Sequence, residues 1–314
     1  MSELPWRIVF FGTPFFAVPS LQTLALGPDE VVAVVTQPDR EKGRGRKVVP
    51  SPVKEFALQK GIFLSQPEKV KDEAFQKTLR NLNPYLFIVV AYGQILPKSL
   101  LTIPKLGAVN VHASLLPKYR GPAPIAWAIL NGEKKTGVTT MMMDEGMDTG
   151  DLLLQSEIPI GEDETTEILH DRLASLGAQV LMDTLKRMKT GEIRPIPQDQ
   201  SKATYVPMLK KEDGRIDWGR EGEVIDRQVR AFRPWPGAYT EWRGRLLKIY
   251  KGEVREGKKT GKAGTVLWVS TNFIEVETGR DSYLIKEVQL EGKRRMPVRD
   301  FLAGHPVSVG TVFS

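Results

Sequence analysis

The sequence has no cysteine and only three histidines in 314 residues. Without thiols there are no disulfides, no cysteine nucleophile and no thiolate metal site, and nothing points to an oxidising compartment. Three histidines also leave little from which to build a metal site, and none is expected. Long hydrophobic runs are missing: no apolar stretch approaches the roughly 20 residues that span a bilayer, so a soluble protein with no membrane partner is expected. Met1 to Arg7 carries Glu3 and Arg7 and runs directly into the short apolar segment Ile8 to Phe11. That start lacks the basic lead and small-residue cleavage pattern of a signal peptide, so the default expectation is a cytoplasmic monomer. The first apolar segment ends in Phe11-Gly12-Thr13-Pro14, with no Gly-x-Gly-x-x-Gly after it. The pyrophosphate cradle of a dinucleotide-dependent dehydrogenase is therefore absent.

What is present is an ordinary globular balance, 41% hydrophobic and 26% charged, with room for one large or two medium domains. The formal net charge of +7 is unevenly spread. Residues 1 to 207 hold 24 Lys and Arg against 23 Asp and Glu, a balance of +1, whereas residues 208 to 314 hold 21 against 15, a balance of +6. A basic excess gathered in one part of the chain suits a polyanionic partner, because phosphate contacts release counterions. It also suits a plain lysine-rich surface, and charge alone does not choose between the two.

The first half alternates short β-branched runs with amphipathic segments. Strands are expected at Arg7 to Gly12, Val31 to Thr36, Leu86 to Ala91, Ala108 to His112, Gly137 to Met143 and Leu152 to Ile158. Helices fit Phe15 to Leu26, Pro52 to Lys60, Glu73 to Asn81 and Ala123 to Asn131, and a long one fits Thr166 to Lys189. Such alternation implies an α/β fold with a doubly wound, mostly parallel, Rossmann-like sheet. From Gly191 to Pro207 no face repeats, and the reading is a linker. Beyond it a helix at Val224 to Ala231 precedes short strands at Ala238 to Trp242, Leu246 to Val254, Gly264 to Val269, Phe273 to Glu277 and Ser282 to Gln289. These suggest a small β-barrel of the oligonucleotide-binding type, with the boundaries drawn as a domain at 1–189, a linker at 190–207 and a basic domain at 208–314.

The segment Gly107 to Gly121 carries the chemistry. On a strand, Asn110 and His112 are two residues apart and share a face, while Val109 and Val111 face the other way. The pair lies near the carboxyl end of its strand, where open parallel sheets place their ligands. An amide that can stabilise an oxyanion beside an imidazole that can relay a proton is suited to acyl transfer, although the same side chains could simply satisfy loop hydrogen bonds. A second segment, Met143-Asp144-Glu145-Gly146-Met147-Asp148-Thr149-Gly150-Asp151, reads as an acidic loop after a strand. One of its carboxylates could orient the histidine. A solvated turn or a divalent-ion loop would have the same spacing, which does not decide which carboxylate matters.

Asn110-Val111-His112, Ser114-Leu115-Leu116-Pro117 and Met147-Asp148-Thr149-Gly150 together resemble the signature of the folate-dependent formyltransferases. The resemblance to the members that act on methionyl-tRNA runs almost end to end, through Thr36-Gln37-Pro38-Asp39-Arg40, Pro50-Ser51-Pro52-Val53-Lys54, Gly214-Arg215-Ile216-Asp217-Trp218 and Arg233-Pro234-Trp235-Pro236-Gly237. It implies Asn110, His112 and Asp148 as catalytic residues and the Ser114 to Pro117 turn (Ser114, Leu115, Leu116, Pro117) as part of the folate site. It further implies 10-formyltetrahydrofolate as formyl donor and initiator methionyl-tRNA as acceptor. Formyl-folate enzymes acting on a small amine, or hydrolysing the folate, are the nearest alternatives. A non-catalytic RNA-binding protein is the alternative of another class.

Gln37 to Lys54 is basic and glycine-bearing, with Arg40, Lys42, Arg44, Arg46 and Lys47 around Gly43 and Gly45. Glycines let backbone approach phosphate closely, and arginines bind phosphates or guanine edges. A solvated loop has the same composition. The resemblance makes this the insertion that meets the tRNA acceptor arm, with Arg44 as its key arginine and Arg46 and Lys47 beside it. Lys210 and Lys211, just past the linker, are expected to hold the acceptor strand by phosphate contacts. Trp235, Tyr239 and Trp242 could stack on bases but are better read as core.

Overall fold

The computed structural model describes residues 4–42, 47–257 and 261–314. Two compact units emerge, one comprising residues up to 124 with 135–159 and 170–206, the other 125–134, 160–169 and 207–314.

In the first unit the strands are β1 (Arg7–Gly12), β2 (Glu30–Val35), β3 (Arg40–Lys42), β4 (Lys47–Val49), β5 (Leu64–Ser65), β6 (Leu86–Val90), β7 (Ala108–His112), β8 (Lys135–Met142) and β9 (Leu152–Pro159). Seven of them form one sheet in the order β5-β2-β1-β6-β7-β8-β9. Every pairing from β5 to β7 is parallel, and β8 and β9 continue the sheet antiparallel. The expected mostly parallel α/β sheet is present. β6 is buried at every position, as a central parallel strand covered on both faces must be.

Helices α1 (Val18–Leu26), α2 (Pro52–Gln59), α3 (Glu73–Asn81) and the short α4 (Lys98–Leu101) follow their strands. Side-chain caps explain two of the starts. Ser51 accepts from the Lys54 N–H at 3.1 Å with Pro52 in the first turn of α2, and Asp72 accepts from the Phe75 N–H at 2.8 Å. One sheet face carries Val9, Phe11, Ala33, Val35, Phe87 and Val89, in one cluster with Phe75 and Leu79 of α3 and Leu100 and Leu101 of α4. The long helix α6 (Thr166–Thr190), numbered after α5 (Pro124–Leu130), brings Gly177 against Val111 and Val138. The valine face of β7 is thereby covered, and Asn110 and His112 are left on the other face.

The segment 190–207, read from sequence as a linker, belongs to the first unit as far as Val206. Ile196 exchanges backbone hydrogen bonds with Leu152, and Val206 and Thr204 bond Arg120. Polar backbone contacts hold it, so no apolar periodicity announced it.

The second unit contains α7 (Gly222–Ala231), β10 (Tyr239–Trp242), β11 (Arg245–Arg255), β12 (Val266–Val269), β13 (Ile274–Glu277), β14 (Ser282–Leu290), β15 (Met296–Pro297) and α8 (Val298–Gly304). Its sheet is antiparallel, ordered β10-β11-β14-β13-β12, with β15 beside β14. Irregular register near Ile249 to Gly252 bends the eleven-residue β11, as bulges do, and the sheet curls into a half-barrel. The expected barrel is present in this form, with its end strands β10 and β12 unpaired to each other among the described residues. Trp218, Trp242, Tyr283, Phe301 and Phe313 fill its core. Trp242 meets Phe301 edge-on at 5.4 Å, while Trp235 is 53% exposed.

Candidate active site

Asn110 and His112 end β7 on one face, opposite Met141 and Thr139 of β8. His112 is buried and Asn110 partly exposed. Among the described residues no hydrogen bond engages the Asn110 side chain, so its amide donors are open to an incoming oxygen. Nε2 of His112 lies 2.9 Å from the Tyr119 carbonyl. A carbonyl only accepts, so Nε2 carries a proton.

The other ring nitrogen faces the acidic loop. Asp148 Oδ1 stands 3.7 Å from His112 Nδ1, and Asp148 Oδ2 accepts the Gly121 N–H at 2.8 Å. At 3.7 Å the imidazole and carboxylate form an ion-pair contact longer than a hydrogen bond, which leaves hydrogen-bonding capacity on both.

Two of the neighbouring acids are engaged elsewhere. Asp144 accepts from Thr149 Oγ1 and the Gly146 N–H within its own loop, and Glu145 pairs with Lys98 at 3.0 Å. Asp148 is the carboxylate of this loop that reaches the histidine, and its φ of 55° is left-handed, a region that Asp tolerates better than most residues. Gly150 is needed beside it: a Cβ there would lie 1.8 Å from the Met142 carbonyl oxygen.

The Ser114 to Pro117 turn follows His112 directly. Ser114 Oγ donates to the Lys118 carbonyl at 2.7 Å. Thr139 Oγ1 donates to the Ser114 carbonyl and accepts from the Leu116 N–H, and Gln155 Nε2 donates to the Leu116 carbonyl. The turn is thus fastened to β8 and β9 next to Asn110 and His112, with Leu115 and Pro117 partly exposed.

Sequence reasoning missed Arg120 and Gln198. The Arg120 side chain is fully buried and bonds Gln198 Oε1, Gln200 Oε1 and the Tyr205 hydroxyl. Gln198 Nε2 donates in turn to the carbonyls of Asp148 at 2.9 Å and Gly150 at 2.7 Å. The charged Arg120 side chain resembled its solvated neighbour Lys118, and nothing in the pattern marked it as interior.

Arg44 and Arg46 lie outside the described residues, as does the side chain of Lys47, which opens β4. Lys210 and Lys211 are exposed on the second unit. Among the described residues there is no cluster of three or more histidine and acidic side chains that could hold a metal ion, and no helix long and apolar enough to cross a membrane.

Residues 6–185 match the family model described as formyl transferase, and residues 208–306 match that of the formyl transferase C-terminal domain. A methionyl-tRNA formyltransferase of Citrifermentans bemidjiense is 54% identical over 304 residues, 97% of this chain and 95% of the relative. One from Caldanaerobacter subterraneus subsp. tengcongensis is 52% identical over 307 residues, 98% of this chain and 99% of the relative. Among solved structures, the N-formyltransferase of Helicobacter canadensis, in complex with folinic acid and dTDP-3-aminofucose, superposes with a TM-score of 0.69 at 19% identity, covering 93% of this chain and all of that one. At that identity the likeness is one of fold.

Proposed function

This chain belongs to the formyl transferase family, and from that premise we propose that it transfers the formyl group of 10-formyltetrahydrofolate to the α-amino group of methionyl initiator tRNA. The observation that carries the chemistry is the meeting of Asn110, His112 and Asp148 at one end of the sheet. The acceptor follows from relatives more than 50% identical across both domains, all named for methionyl-tRNA.

The reduced folate supplies the activated formyl group, and the protein supplies orientation and charge. The open amide of Asn110 fits the formyl oxygen and donates to it as negative charge develops during attack by the methionyl amine. His112, held between Tyr119 and Asp148, contributes positive charge beside that oxygen. The Asp148 carboxylate takes the proton that the amine gives up and returns it to the folate nitrogen as that nitrogen leaves. Transfer is direct, with no covalent acyl-enzyme. The turn from Ser114 to Pro117 lines the folate site, and the binding of folinic acid by the structural neighbour is consistent with a reduced folate there. Arg44, Arg46, Lys47, Lys210 and Lys211 hold the tRNA by its phosphates. All three catalytic groups come from one chain, so a monomer suffices, working in the cytoplasm where its substrate tRNA is used.

Purified protein given 10-formyltetrahydrofolate and charged initiator methionyl-tRNA should form formylmethionyl-tRNA, with elongator methionyl-tRNA and free small amines as poor acceptors. Transfer to the small amines instead, or release of free formate alone, would refute the assignment.

A further inference from the structure

The Arg120 and Gln198 side chains touch neither Asn110 nor the His112 ring, yet they sit behind both halves of the site. We propose that Gln198, locked by Arg120, is a positioning residue that sets the separation of His112 and Asp148. The proposal rests on the reading of this site as the formyl-transfer centre.

The Gln198 amide is only 7% exposed, and its orientation is dictated by its neighbours. Its Oε1 accepts from Arg120 Nε at 3.1 Å and from a terminal Arg120 nitrogen at 2.7 Å. A guanidinium has only donors and a carbonyl only accepts, so the amide cannot turn over without opposing like groups on both sides. Nε2 is thereby aimed at the carbonyls of Asp148, whose own backbone is left-handed, and of Gly150.

Arg120 extends the device to the histidine. Its chain neighbour Tyr119 accepts from His112 Nε2, and its other neighbour Gly121 donates to Asp148 Oδ2. Gly121 has a φ of 116°, and a Cβ on it would lie 2.3 Å from the Val206 carbonyl oxygen, so this backbone has little freedom to shift. A closed circuit results, running from the His112 ring through Tyr119 and Arg120 to Gln198, on to Asp148, and back across the 3.7 Å contact. Cutting it at Gln198 frees the acidic loop without removing any reacting side chain. Misplacement by about 1 Å can cost on the order of 100-fold in rate.

Gln198→Glu keeps the length of the side chain and the acceptor for Arg120, but sets a carboxylate oxygen against two carbonyls. The expected result is a fall in kcat for formylmethionyl-tRNA formation of about 10- to 100-fold, with KM for folate and tRNA within about twofold of wild type. In an Asp148→Asn background the same change should add less than about twofold, because the group it positions no longer functions. Gln198→Met removes the donors, together with the acceptor of Arg120, without adding charge, should behave alike, and serves if the glutamate variant fails to fold. A folded Gln198 variant with kcat within about twofold of wild type, or one losing the same factor with and without the Asp148 carboxylate, would overturn the proposal. A wild-type protein that forms no formylmethionyl-tRNA would instead overturn the functional reading beneath it.

Discussion

The carboxylate of Asp148 lies 3.7 Å from Nδ1 of His112, and the Gly121 N–H holds it there at 2.8 Å. The two residues come from different parts of the sheet, one ending β7 and the other in the loop after β8. Contacts from Gly121 and Gln198, both outside the two strands, hold Asp148 at that distance. At this range both groups keep a hydrogen-bonding position for substrate.

Asn110 is the donor left open on that face. Asn110→Ala should lower kcat by about 100-fold or more while leaving the Kd for folate nearly unchanged, if its amide acts as other oxyanion donors do. Steady-state turnover and folate titration on the folded variant check both parts. A large loss of folate affinity with kcat intact would reassign Asn110 to ground-state binding.

The basic loop should act on tRNA alone. Arg44→Ala should raise KM for methionyl-tRNA and reduce the salt dependence of tRNA binding by one phosphate contact, a slope change of about 1, with folate affinity unaltered. Titrations of both ligands over a series of salt concentrations test it. An unchanged salt slope would return Arg44 to the role of a solvated side chain.

How far the sequence could be read depended on what held each part together. The apolar runs located six sheet strands to within two residues, the parallel ones because burial on both faces makes them announce themselves by composition. The antiparallel direction of β8 and β9 was not legible, since direction depends on pairing partners and not on the strand's own residues. The β3-β4 hairpin, α4 and α8 were too short to show a period. At the site, the two-residue spacing displayed Asn110 and His112 as a pair, but four acids in nine residues concealed which one mattered. Asp148 was named through family resemblance, and the engagement of Asp144 and Glu145 elsewhere supplies the physical reason. Arg120 and Gln198 escaped notice because a buried polar network has the composition of a loop. Trp242 was rightly read as core, whereas its neighbour Trp235, with the same chemistry, is half exposed.

Asp39, at the foot of the β3-β4 hairpin, gives a pH test. Hydrogen bonds from Lys54 at 2.5 Å and then Gln66 at 2.8 Å hold its carboxyl below the usual carboxylate range, against a small opposing effect of burial. A folded-state value below the unfolded one means that the contribution is complete above that range and is lost as pH falls through it. Asp39→Asn should therefore lower the Tm near neutral pH, and the gap from wild type should close below about pH 4. The site is partly exposed, so the effect is small. A gap that does not change with pH would mean that Asp39 contributes no charge-dependent stability.

The most direct measurement is single-turnover formyl transfer from 10-formyltetrahydrofolate to initiator methionyl-tRNA by wild type and Asp148→Asn, both saturated with substrate. The amide keeps the shape of the carboxylate and removes its charge, so the chemical step should slow by about 100-fold or more while both substrates still bind. A variant that transfers formyl at nearly the wild-type rate would contradict the placement of His112 and Asp148 at the centre of the reaction.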